Sequence, residues 1–182
     1  IANSAPANPN VEFGVIPSGS GNDFVRNFKN RRLFANIDAQ IDGEARAFDL
    51  IKCNDDYCVN MVNIGFDCSV VIEADKFRKS KLFPHGISYI LGVVVGFFFK
   101  KFGTKMKIIF DNGEVIEKEL TLTAIGNGKF CGGGFKSAPK ANLADGLMDI
   151  CIIDRVSRLN FIQLISSYKD GTYIDKKSAQ KI

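Results

Sequence analysis

The stretch "TKMKIIFDNGEVIEKELTLTAIGNG", residues 104–128, leaves the chain few ways to fold. Lys105, Lys107 and Phe110 lead into Asp111-Asn112-Gly113, and an alternating strand follows. Asn-Gly between two alternating runs supplies the positive φ that a tight reversal needs, so the two runs are expected to pair antiparallel. Other strand-like segments join them: "ARAFDLIKCN" and "YCVNMVNIGFD", separated by a turn at Asn54 to Asp56, and later "GLMDICIIDRV". Two segments read as helical: about 70–98, interrupted near Pro84, and about 158–168, with Ser157 as cap.

The first thirty residues have a different texture. Residues 1–10 read as linker. "VEFGVIP" reads as a short buried strand that Pro17 ends, and "NDFVRNFKN" as a helix capped by Asn22 or Asp23, with Phe24, Val25 and Phe28 on one face. The β texture begins at about residue 38. An α+β chain follows from these elements: a mainly antiparallel β domain with two or three helices over 31–182, preceded at 1–30 by a fragment of an α/β unit.

Composition excludes several classes. With 46% hydrophobic and 24% charged residues the chain reads as an ordinary globular protein. A net charge of +4 suits a nucleotide, a phosphate or an acidic lipid surface, and solubility alone accounts for it equally well. The cysteines, 53, 58, 68, 131 and 151, are odd in number and form no C-x-x-C, and His85 is the one histidine. A disulfide framework and a Cys/His zinc site are therefore not expected, and buried reduced thiols are. The longest apolar run, residues 87–99, is shorter than the about 20 residues of a membrane span. "IANSAPANPN" lacks the basic start and apolar stretch of a secretory signal, so an intracellular location is expected. No aromatic–basic interleaving speaks for nucleic acid.

Two loops carry candidate chemistry. In "PSGSGND", Gly19 and Gly21 let a ligand approach the backbone, Ser20 offers a hydroxyl, and the following Asn22 and the helix start offer further donors to an anion. Asp23 beside a phosphate requires magnesium or a hydroxyl donor between them. The lysine of a Walker loop is missing, and a simple tight turn is the other reading. In "ANLADGLMD", Asp145-Gly146 makes a tight turn whose flanking carbonyls could converge on a hard cation, or which merely enters a strand. Lys76, Arg78, Lys79 and Lys81 precede the apolar segment, and Lys100 and Lys101 follow it. These cations suit either docking at an acidic membrane or the solvated ends of a core helix. Asp42-Gly43-Glu44 and Asn112-Gly113-Glu114 both read as turns.

Taken whole, "GVIPSGSGNDFVR" resembles the G-[IV]-[IL]-P-x-G-[TS]-x-N-D-[FL]-[AV]-R segment of the diacylglycerol kinase catalytic-domain family, which includes bacterial lipid kinases and the sphingosine and ceramide kinases. The likeness continues in order. "GEARAFDL" is similar to its G-x-x-[RK]-x-[IF]-D-[LV] strand, "VNIGFDCSVV" to its N-x-x-[GS]-x-G-[FL]-D-A-x-V stretch, and "ISYILGVV" to its S-Y-[IL] helix. "GNGKFCGGGFKSAPKANLADGLMDICII" resembles its N-G-x-x-x-G-G-G-x-x-x-[AS]-P-x-A-x-[LI]-x-D-G-x-[LMF]-D segment. The five matches run from Val11 to about Asp154.

The resemblance implies an α/β nucleotide-binding domain, of which 1–30 would be a remnant, beside a β-sandwich domain on the substrate side, with the active site between them. It implies an ATP-dependent kinase acting on a lipid hydroxyl, with Mg2+; a cytoplasmic location is expected, and peripheral contact with the inner membrane face and a homodimer are left open. Gly19, Ser20, Gly21, Asn22 and Asp23 would line the nucleotide. The carboxylate of Asp145 with backbone oxygens at Asn142 and Leu147 would hold a magnesium ion that orders the loop without taking part in transfer. The family's G-G-D-G-T phosphate cradle and the D-G-E motif that bears its catalytic base are not found among these residues, so the catalytic base is unknown here and the chain alone is expected to be inactive. "GGGF" at Gly132 to Phe135 has no Asp and is no substitute for that cradle. Two other readings stay open: a non-catalytic β-sandwich module binding lipid or protein, and an NAD kinase-like enzyme.

Overall fold

In a computed structural model, residues 3, 12–19, 21–79, 91, 94–99, 102–177 and 179–181 are described, without the side chains of 78, 180 and 181. The hairpin forms where its turn chemistry demands. Strand β4 is Thr104–Ile109 and β5 is Val115–Gly126, in antiparallel register with Ile109 opposite Val115. Phe110 and Glu114 close the turn, and Gly113 takes φ 83°, the left-handed conformation that a three-residue reversal requires.

A first small hairpin, β1 (Ile51–Cys53) with β2 (Asp56–Cys58), reverses through Asn54, at φ 54°. Next come β3 (Met61–Gly65), β6 (Asp149–Asp154) and β7 (Ala179–Lys181). Strand β5 is the axis of the larger sheet. Its first half pairs with β4 and its second half with β3, while β6 lies along its other edge and carries β7 in turn, all antiparallel. The register shifts between Leu120 and Leu122. Thr121 fills that irregularity by donating its hydroxyl to the Asp154 carbonyl at 3.1 Å and accepting the Val156 N–H at 3.1 Å.

Helices cover one face of this sheet: α1 (Ile37–Ile41) lies before it in sequence, while α2 (Phe66–Lys79) and α3 (Arg158–Asp170) supply its cover, and residues 94–99 are also helical. Leu122, Ala124, Cys151 and Ile153 from the strands meet Phe66 and Val70 of α2 and Phe161 and Leu164 of α3. The rings of Phe66, Phe102 and Phe161 pack with centroids 4.6–5.0 Å apart. Helix α3 starts at its expected cap, Ser157 Oγ accepting the Asn160 N–H at 3.2 Å, and ends at Gly171 in the left-handed region. Beyond it, Tyr173 is fully buried and donates to the Ser137 carbonyl, while the Tyr168 hydroxyl donates to Ser137 Oγ at 2.7 Å. Burial pushes both phenols well above the ordinary tyrosine range.

Several local expectations fail for one reason: extended or turning backbone becomes a strand or helix only when partners supply the ladder or the next turn. Residues 12–17 of "VEFGVIP" join no ladder among the described residues. Val15 N–H goes to the Gln40 side chain at 2.8 Å, and Phe13 and Ile16 are exposed. Residues 24–27 form one 3₁₀ turn rather than a helix, and Asp23 does not cap it. The β texture placed from residue 38 instead gives α1, capped by Asn36, and the segment 44–50 joins no ladder. Helix α2 begins at Phe66, four residues before the expected start, directly from β3. Gly65 makes that corner at φ 118°, where a Cβ would lie 2.6 Å from the Thr121 carbonyl oxygen. None of the five cysteines is in a disulfide, but only Cys151 is buried; Cys58, Cys68 and Cys131 are half-buried and Cys53 is exposed. Residues 1–2, 4–11, 80–90, Ser20, His85, Lys81, Lys100 and Lys101, and the side chain of Arg78, lie outside the described part, and with them the linker, the Pro84 interruption and most of the basic rim.

Candidate functional site

The segment 17–27 is shaped by side chains that bond backbone. Asn22, at φ 50°, accepts the Gly19 N–H at 2.9 Å through Oδ1 and donates to the Pro17 carbonyl at 3.2 Å, which ties Pro17 and Gly19 to Asn22. Asparagine tolerates this left-handed conformation better than most residues. Arg26 Nε donates back to the Gly21 carbonyl at 3.1 Å and lies 3.3 Å from Asp23 Oδ1.

Asp23 does not cap its own turn because its carboxylate is used elsewhere. Oδ2 accepts the Gly133 N–H at 2.8 Å, across 110 residues of sequence. Oδ1 is buried and takes no hydrogen bond in return, only the ion pair with Arg26. Gly132, Gly133 and Gly134 all have positive φ, and the Arg26 guanidinium lies so close to Gly134 that a Cβ there would be 3.1 Å from it. The "GGGF" stretch is thus the surface on which the loop docks, a role that its sequence did not suggest.

Asparagines complete the attachment. Asn27 Oδ1 accepts the Lys129 N–H at 2.8 Å while its amide donates to the Phe24 carbonyl at 2.8 Å. Asn60 donates to the Phe130 carbonyl at 2.9 Å, and Asn127 donates to the carbonyls of Asp49 and Val59 at 2.7 and 2.9 Å. Asn27 serves as both acceptor and donor and Asn127 donates twice, so each of the two fixes two backbone segments.

Behind the triglycine turn lies a group that sequence reasoning did not single out. Asp67, in the first turn of α2, accepts the Cys68 N–H at 2.9 Å, and burial raises its carboxyl to about 6 against these helix-terminus hydrogen bonds. Asn63 donates to Cys131 Sγ at 3.0 Å, and Cys68 Sγ donates to the Asn63 carbonyl at 2.9 Å. Burial pushes the Cys131 thiol up to about 11, the Asn63 amide works against that, and the charges of Asp67 and Asp23 add to the rise. Burial raises the Cys68 thiol as well, so neither Cys68 nor Cys131 is a ready nucleophile. Asp67 stands inside the quoted "VNIGFDCSVV", where its position after the Gly65 corner was the available signal.

The second candidate loop is built from Asx turns. Asn142 Oδ1 accepts the Ala144 N–H at 3.3 Å, Asp145 Oδ1 accepts the Leu147 N–H at 3.1 Å, and the Gly146 N–H, at φ 73°, reaches Asp49 Oδ2 at 2.7 Å. Asn142, Asp145 and Leu147 are all exposed. Among the described residues no three His, Cys, Asp or Glu side chains gather as a metal site. One carboxylate and neighbouring carbonyls form an all-oxygen set, the kind that a hard cation such as Mg2+ takes. Asp42 ends α1 and Asn112–Glu114 forms a hairpin tip, so both D-G-E-like strings are turns. The structure thus ties Gly19, Gly21, Asn22 and Asp23 into one loop and Asn142, Asp145 and Leu147 into another; Ser20 lies outside the described part.

Comparison with known proteins gives a consistent result. Residues 60–182 match the model of the YegS C-terminal NAD kinase beta sandwich-like domain. A protein named diacylglycerol kinase in Mycobacterium tuberculosis is 29% identical over 178 residues, which is 93% of this chain and 56% of that protein. One of the same name in Bacillus subtilis is 26% identical over 173 residues, covering 94% and 56%. A crystal structure described as a diacylglycerol kinase from Bacillus anthracis superposes with a TM-score of 0.66 at 25% identity, covering 99% of this chain and 58% of that one. The chain therefore spans a little over half the length of these relatives.

Proposed function

From a chain that belongs to the YegS C-terminal NAD kinase beta sandwich-like domain family, we propose the β-domain side of an ATP-dependent lipid kinase that phosphorylates a diacylglycerol-like hydroxyl. The observation that carries this reading is the Asp23 carboxylate, held by Gly133 N–H and Arg26 with one buried oxygen, Oδ1, left without a hydrogen bond. A fixed carboxylate at the end of a glycine-rich bend is an expensive feature for a mere turn and a useful one beside a metal–phosphate pair.

In this reading Gly19, Ser20, Gly21, Asn22 and Asp23 form one wall of the nucleotide site. Phosphoryl transfer leaves little covalent work to the protein, so this wall acts by position and charge. Asn22 fixes the bend that brings backbone close to a phosphate, and Arg26 fixes the direction of Asp23. Magnesium, when bound, neutralises charge on the transferred phosphate. Asn142, Asp145 and Leu147 would hold a separate Mg2+ that orders the 142–147 turn, beside the bond from Gly146 to Asp49. The base that takes the lipid proton is assigned to no residue here.

The test uses the complete protein that bears this sequence. Asp23→Asn should lower ATP-dependent phosphorylation of diacylglycerol about 10²-fold or more with an unchanged melting temperature. Full activity in that variant would refute the assignment, as would normal turnover by residues 1–182 alone.

A further inference from the structure

Between the loop that carries Asp23 and the turn that carries Asp145 lies a cavity of about 280 Å³. Asn27, Phe28 and Asn142 to Ala144 line it together with Arg46 and Lys129. Arg46 is exposed and Lys129 half-buried. Among the described residues, neither cationic side chain has a hydrogen-bond or ion-pair partner, whereas Arg26, Lys76, Lys79, Lys118 and Arg155 are each paired with a carboxylate.

Two unpaired cations over one cavity repel each other, and a shared anion removes that cost. The wall behind them is apolar: the rings of Phe28 and Phe48 meet edge to face with centroids 5.7 Å apart. A low-dielectric wall strengthens the field at the rim. Arginine adds a planar fork that matches phosphate oxygens, and lysine adds a point charge. The Asn142 side-chain oxygen, Oδ1, accepts the Ala144 N–H, and its amide NH₂, with no partner among the described residues, is a third donor. The volume is near the lower end of small-molecule sites, enough for one or two phosphate groups and too small for a whole nucleotide or an acyl chain.

We infer that the rim formed by Arg46, Lys129 and Asn142 is a binding site for a phosphate group. Two sources carry that chemistry, a soluble polyphosphate and the headgroup of an acidic phospholipid. The inference does not require the chain to be a kinase, and its test does not read activity.

Pyrophosphate titrated into the 182-residue chain, followed by amide chemical shifts, should saturate with the largest shifts at 46–48, 129 and 142–144. Arg46→Gln with Lys129→Gln should weaken binding about tenfold or more, while Lys140→Gln, outside the cavity lining, should change it less than about twofold. Unchanged affinity in the double variant, or an equal loss in Lys140→Gln, overturns the site. Were the double variant to lose its folded amide spectrum, each single substitution, expected to weaken binding several-fold, decides in its place. Co-sedimentation with phosphatidylglycerol-containing vesicles against phosphatidylcholine alone separates the sources. Loss of vesicle binding in the double variant assigns a headgroup; pyrophosphate binding with no vesicle binding assigns a soluble anion. Binding of neither ligand overturns the inference.

Discussion

The sheet and the loop at 17–27 are held by opposite means. Leu122, Ala124, Cys151 and Ile153 are almost wholly buried among helix side chains, and many weak contacts share the work. Among the described residues of the loop only Val25 is buried; the others are fixed by Asn22, Asp23, Arg26 and Asn27 through single directional bonds. Burial gives stability without strict geometry, since apolar contacts tolerate small shifts. Hydrogen bonds give geometry with little net stability, about 1 kcal/mol each. A segment meant to hold a ligand in register is better attached in the second way.

That contrast can be broken from either end. The largest effect belongs to the sheet: Leu122→Ala should destabilise the whole domain by about 3–4 kcal/mol in urea unfolding, with loop and sheet amides losing exchange protection together. If the loop kept its protection, the two regions would be independent units. Asn27→Ala should do the reverse. It strips the Lys129 N–H of its acceptor, costs about 1–2 kcal/mol locally, and raises exchange at 129 and 24–28 with little change in the sheet. The smallest effect sits between the regions, at Asp67. Its folded pKa is raised from 3.8 to about 6, so the native state keeps a proton that the unfolded chain has already lost. Stability from this group is therefore full below about pH 4 and declines as pH rises through 6. Asp67→Asn should flatten that decline and raise stability at pH 7 by about 1 kcal/mol, read from urea midpoints across pH 4–8.

The parts legible in the sequence are those set by neighbours along the chain. Asp111-Asn112-Gly113 specifies its own reversal, Asn54 takes the turn between β1 and β2, and Ser157 caps α3, because each needs only a few adjacent residues. The start of α2 was hidden because Phe66 and Asp67 read as the end of the strand-like "YCVNMVNIGFD", while the corner at Gly65 depends on Thr121 in another strand. "VEFGVIP" has a strand's pattern, but among the described residues none pairs with 12–17. The candidate loop was found by its glycines and by family resemblance, yet its attachment was invisible: Asp23 to Gly133 joins residues that no local period relates. Arg46 was known only as the [RK] position of a family strand motif, and Lys129 was unremarkable, until the fold set both on one cavity.

The pair of phenols on Ser137 has a practical consequence. The chain has four tyrosines and no tryptophan. Half of its tyrosine chromophores thus report on a single point, where the end of α3 and the buried Tyr173 converge on one serine. Ultraviolet difference spectra and intrinsic emission will follow the closure of that corner far more closely than they follow the loop, which carries no tyrosine.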